Sequence, residues 1–168
     1  MSRARTRQRL SALGRAEEGT ALVEFAISLP LILVVSYGAI DSMRLFWSYQ
    51  AAVAGVRDAT RYIARVAPDD ICETGGSLSA YEARLATIIG STIDDGALYP
   101  VGVGISNVTA TLFCETTLGL RQARVPVVTV SADLGVQLPM TGILALVGGS
   151  GYGTLTTTVV EQARIYGL

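Results

Sequence analysis

Sixteen residues from Phe25 to Ile40, F-A-I-S-L-P-L-I-L-V-V-S-Y-G-A-I, pass without a charge, and extension back to Ala21 makes twenty with Glu24 inside one end. At 1.5 Å per residue, twenty residues cover about 30 Å, the depth of a bilayer's hydrocarbon core. The run has no polar stripe, so the pattern predicts a membrane-spanning helix rather than the core helix of a soluble globule. Pro30 and Gly38 are tolerated in such helices, with Pro30 expected to loosen one turn. Beyond it, Leu45 to Val66 contains few helix breakers and carries Arg57, Arg61 and Arg65 at i, i+4 and i+8, on one face. Asp58, three before Arg61, is placed for a weak surface pair. One helix is therefore expected over 20–67, in lipid to about residue 40 and amphipathic beyond, roughly 70 Å long. Pro68-Asp69-Asp70 should end it. Trp47 and Tyr49 suit the outer membrane–water interface. Ala51, Ala52, Ala54, Gly55 and Ala59 suit either a neighbouring helix or the chain's own globular part.

The pattern then changes period. Ile71 to Ser77 reads as a loop containing Gly75-Gly76. Ser77 is a candidate cap for an amphipathic helix to Ile89, with Leu78, Tyr81, Leu85, Ile88 and Ile89 at helical spacing; Asp94-Asp95-Gly96 should close it. Val101 to Cys114 reads as a strand with glycine interruptions. Val128, Val130, Ala132, Leu134, Val136 and Leu138 alternate with Thr129, Ser131, Asp133, Gly135 and Gln137, the clearest strand signal in the chain. Met140 to Val147 is apolar but too short to span, Gly148 to Gly153 is a turn, and Leu155 to Ile165 reads as a last strand. The expected fold class is α+β. A basic leader (1–19) and a long helix (20–67) precede a small domain (68–168) of one helix and an antiparallel sheet, packed on the outer half of the long helix.

Charge gives this layout a direction. Residues 1–19 carry five arginines against two glutamates, and the remainder carries eight arginines against twelve acids. A basic head before an apolar span is held on the cytoplasmic side, with the acidic body exported. The same asymmetry argues against nucleic acid as a partner, since only the leader could bind it. A cleaved secretory signal also begins with basic and apolar regions. Here no small-x-small site follows the core, and Asp41-Ser42-Met43-Arg44 continues as helix instead.

Candidate chemistry is sparse. There is no histidine and no lysine, which removes the commonest general base and the commonest zinc ligand. Cys72 and Cys114, 42 positions apart, are too few for a cysteine-only zinc site; a disulfide and two buried thiols both fit them. The glycine run 148–153 lacks the lysine of a phosphate loop. Asp69, Asp70 and Glu73 do not follow a calcium-loop order. Two carboxylates can hydrolyse a bond without histidine, but no acid pair here sits in a recognisable motif. No catalytic residue, metal or cofactor is expected. The costly feature is Glu24, because a carboxylate at the edge of lipid needs a partner or water.

The letters around Glu24 supply a resemblance. A basic leader ending in Gly19, then Thr20, a glutamate at the fifth position after the glycine and Phe25 next, resembles the processing signature of type IV-like prepilins. The longer run closely resembles the TadE-like family of pseudopilin-type proteins in the tight-adherence (Flp) pilus system. It comprises Gly19 to Ala26, Leu29-Pro30-Leu31, Gly38-Ala39-Ile40-Asp41 and Ala54 to Tyr62. It covers about residues 19–65, with Asp41 where the family commonly has glutamate. The resemblance implies cleavage between Gly19 and Thr20 by a prepilin peptidase, and an assembly role for Glu24 and Phe25. It implies a helix motif of Pro30, Gly38, Asp41, Arg57 and Arg61. Implied partners are the lipid bilayer, other pilin-like proteins and pilus-assembly proteins. The implied location is a bacterial inner membrane, single-pass with the N-terminus cytoplasmic, or the pilus itself. The rival expectation is an uncleaved single-pass anchor carrying an exported binding or scaffold module.

Overall fold

The computed structural model describes residues 18–91, 96–116, 124–138 and 153–167. The leader before Glu18, the Asp94-Asp95 pair, the run Met140 to Val147 and most of the glycine turn lie outside the described residues. The fold is α+β. Helix α1 (Glu18–Val66) is continuous for 49 residues and runs through Pro30. Helix α2 (Ile71–Thr74), a 3₁₀ turn (Ser79–Tyr81) and α3 (Glu82–Gly90) follow. Three strands, β1 (Val103–Thr116), β2 (Arg124–Gln137) and β3 (Thr154–Arg164), form an antiparallel sheet in the order β1-β2-β3.

Contacts divide the chain into two units, Met1–Ile40 and Asp41–Leu168. In the first, the described part of α1 turns its apolar side chains outwards on every side, Leu22, Phe25, Ile27, Leu31, Ile32 and Val35 included. The second has a core. From α1 it takes Ala52, Val56, Ala59 and Ile63, spaced four, three and four residues apart, the stripe that a 3.6-residue period brings to one face, and Ala67 just past the helix end continues it. From the central strand β2 it takes Val128, Val130, Ala132, Leu134 and Val136, every second residue. Leu78, Ile71 of α2, Leu85 and Ile89 of α3, Val159 of β3 and Ile165 after that strand complete it. Each large aliphatic side chain so enclosed contributes about 1.5–3 kcal/mol over leaving it in water.

Local chemistry adjusts several expected boundaries. Ile71 to Ser77 is not all loop: residues 71–74 make a helical turn, ended by Gly75 in the left-handed conformation (φ 70°) with the Gly76 amide donating to the Ile71 carbonyl. The helix expected directly from Ser77 opens as 3₁₀ and becomes α only at Glu82. Ser77 still accepts the Ser79 amide at 3.3 Å. The register of β1 against β2 slips between Ser106 and Thr109, where Asn107 takes φ 50°, a bulge that the glycines did not mark. After β3 the chain returns to the end of α1. The Tyr166 amide donates to the Ala64 carbonyl, and Gly167 bridges Pro68, so the last turn of α1 finds a partner for one of its open carbonyls.

Candidate functional site: the long helix and its attachments

Gly19 and Thr20 lie in the first turn of α1, both exposed, and Glu24 lies one turn further on, exposed among Leu22, Val23 and Phe25. Thr20 and Glu24, four residues apart, share a face. Gly38 is exposed on the same helix, and no Cβ placed on it would meet a neighbour. The window of α1 within Gly19–Val66 is long and apolar enough to cross a membrane, and none of it is buried by the protein. It therefore has the character of a membrane anchor.

Past Ile40 the helix acquires an inside and an outside. Asp41 turns inwards, with its Oδ2 buried and without a hydrogen-bond partner among the described residues. Arg44 donates to the Val101 carbonyl. Ser48 and Thr60 are fully buried yet satisfied, each hydroxyl donating to the carbonyl four residues back, Arg44 at 2.9 Å and Val56 at 2.7 Å. Three of the five small residues serve the chain's own packing. Ala52, Gly55 and Ala59 are buried, and a Cβ on Gly55 would lie 3.1 Å from the Ile89 Cα and 3.2 Å from its carbonyl oxygen. This is a close crossing of α1 over α3.

Arg57, Arg61 and Arg65 all face outwards. Arg57 pairs with Glu161 of β3 at 3.6 Å, and Arg61 with Asp58 at 3.7 Å. Both pairs are well exposed, so each is worth about 0–1 kcal/mol. Their effect is to keep one side of the helix polar.

Cys72 of α2 and Cys114 of β1 are joined by a disulfide, Cα–Cα 5.8 Å. It fastens the turn after α1 to an edge strand of the sheet. Two features escaped the sequence pattern. Asp133 of β2 accepts from Asn107 Nδ2 at 2.9 Å and from the Thr158 hydroxyl at 2.6 Å, and these bonds to the ionised form hold its carboxyl below the usual aspartate range. Tyr99 has a buried hydroxyl without a hydrogen-bond partner among the described residues, and burial pushes its pKa up to about 12. Tyr99 lines a shallow groove between α3 and β1, about 500 Å³ in volume, together with Ala83, Ala86 and Gly90. Glu82 at its rim is engaged by the Ala110 amide. Among the described residues no group of three His, Cys, Asp or Glu could hold a metal ion.

The comparisons with known proteins fall on α1. The family model described as TadE-like protein matches residues 19–61, the stretch that carries the prepilin-like letters, the uncharged run and the Arg57/Arg61 face. The chain thus carries a TadE-like segment over residues 19–61. No curated protein and no solved structure matches the chain.

Proposed function

We propose that this chain is a minor, pilin-like subunit of a tight-adherence pilus machine, anchored through α1 in a bacterial inner membrane with its C-terminal unit exported. The observation that carries the reading is the TadE-like match over residues 19–61 together with a lone carboxylate, Glu24, exposed within an apolar helix. A prepilin peptidase would cut between Gly19 and Thr20, leaving a cationic amine at Thr20. A neighbouring subunit's Glu24 would meet that amine as the helices gather. The pair would set axial register more than stability, because desolvating two charges offsets most of their attraction. Phe25, beside Glu24, would pack in the same apolar bundle. The C-terminal unit would supply contacts to other pilus components; no catalysis is proposed.

Mass analysis of the chain recovered from membranes should give a mature protein beginning at Thr20. Glu24→Ala should still insert into the membrane but reduce piliation at least several-fold. A chain retaining its leader, with piliation indifferent to Glu24, would favour the uncleaved anchor with an exported scaffold module.

A further inference from the structure

The turns of α1 just after the uncharged run face two environments. On one side Ser48 is fully buried, Leu45 packs on the core and Arg44 is tied to the Val101 carbonyl. On the other, Met43, Phe46 and Trp47 are 74%, 64% and 73% exposed. They stand at i, i+3 and i+4 and so form one row. Val101, held beside this turn by Arg44, is 94% exposed. A methionine, a phenylalanine and a tryptophan lined up on the open face of a helix whose other face is packed call for an occupant.

We propose that this row is a membrane-interface contact, seated in the lipid headgroup layer and setting the depth of α1. The proposal rests on the membrane-anchor reading of α1. The helix itself supplies the scale. Met43 lies three residues and Trp47 seven beyond Ile40, about 4.5 and 10 Å along the axis. The headgroup layer on each side of the hydrocarbon core is roughly 5–7 Å deep, so Met43 starts inside it. The Phe46 and Trp47 backbones lie just beyond it, and their long side chains, which lean toward the helix N-terminus, reach back to it. Indole suits that layer, with an apolar body and one N–H donor.

The same face changes character where the layer would end. After Met43 and Trp47 it continues with Gln50, Ala54, Arg57 and Arg61, all exposed and none of them a large apolar residue. A stripe built for a partner helix has no reason to stop there; a lipid layer of fixed depth does. The row is also continuous along α1 with the Phe25–Ile40 run, which the protein leaves wholly uncovered. These observations point to lipid rather than a second protein.

Trp47 is the sole tryptophan, so intrinsic fluorescence of the full chain reads this position alone. In vesicles of phosphatidylcholine and phosphatidylglycerol, emission should be blue-shifted relative to the denatured chain. Iodide quenching should fall several-fold. A nitroxide near the headgroup should quench at least twice as strongly as one near the acyl terminus. Met43→Gln with Phe46→Gln should restore much of the iodide access. Iodide access equal to that of the denatured chain, or stronger quenching by the deep nitroxide, would overturn the proposal. So would protection that disappears as the protein is diluted in lipid, since a second copy would then be the cover. Retention of the chain on vesicles through alkaline carbonate reports separately on the anchor. A chain that stays bound with Trp47 in water defeats this proposal alone, and a chain that is stripped off defeats the anchor reading beneath it.

Discussion

Asp133 shows how much one side chain organises. It lies on the central strand and accepts a hydrogen bond from each neighbour, Asn107 on β1 and Thr158 on β3. Both bonds favour the carboxylate, so the folded pKa lies below the ordinary value of 3.8. The sign follows: the stabilisation is complete above 3.8 and is lost as pH falls through the depressed folded value. Asp133→Asn should therefore lower the thermal midpoint at neutral pH, and the gap from the parent protein should narrow in acid. A gap of constant size would show that the carboxylate's charge is not what matters. The sequence offered this residue only as one polar position of an alternating strand. Its partners depend on the Asn107 bulge, and asparagine's tolerance of positive φ is too common a property to announce a bulge.

Elements were legible where one period held over many residues. The β2 alternation and the long apolar helix are both present, because burial of alternate residues and exposure of a whole run each leave a direct trace in composition. Shorter elements were read less well: α2 and the 3₁₀ turn depend on local caps, and four residues carry no period. The small residues of α1 were visible, but their partner was not. At Gly55 that partner is α3, where a Cβ would sit 3.1 Å from the Ile89 Cα, so any side chain there forces the facing backbone to give way. Gly55→Val should cost about 1–3 kcal/mol or more, since backbone cannot yield as a side chain does. Gly90→Ala is the control: a Cβ there meets nothing, so the change should be neutral or slightly stabilising through helix propensity, by up to about 1 kcal/mol. Thermal unfolding of the full chain in detergent would compare them. Equal midpoints would mean the crossing is looser than 3.1 Å.

At the scale of the whole molecule, the family signal and the fold signal occupy different parts of the chain. Residues 19–61 carry the TadE-like match, while the sheet and its covering helix were legible only as periodicity. What ties the C-terminal unit together was the least legible, because pairing over long separations leaves no local pattern. The Ile165 to Gly167 return to the end of α1 is one such tie, and the Cys72–Cys114 bridge is the other. The bridge joins positions 42 residues apart; by chain entropy alone, closing such a loop is worth about 4 kcal/mol, an upper figure if the reduced chain keeps structure. A dithiol gives up two electrons and two protons to become that bridge, which an oxidising compartment permits and a cytosol opposes. The state of the two cysteines therefore also reports on which side of the membrane the C-terminal unit lies. Maleimide added to denatured protein from intact membranes should find no free thiol, and two after reduction. The Cys72→Ser, Cys114→Ser double variant should unfold about 2–4 kcal/mol more easily than the parent. Two thiols labelled without reduction would place the unit in a reducing compartment and overturn the exported topology, whatever the result at Glu24.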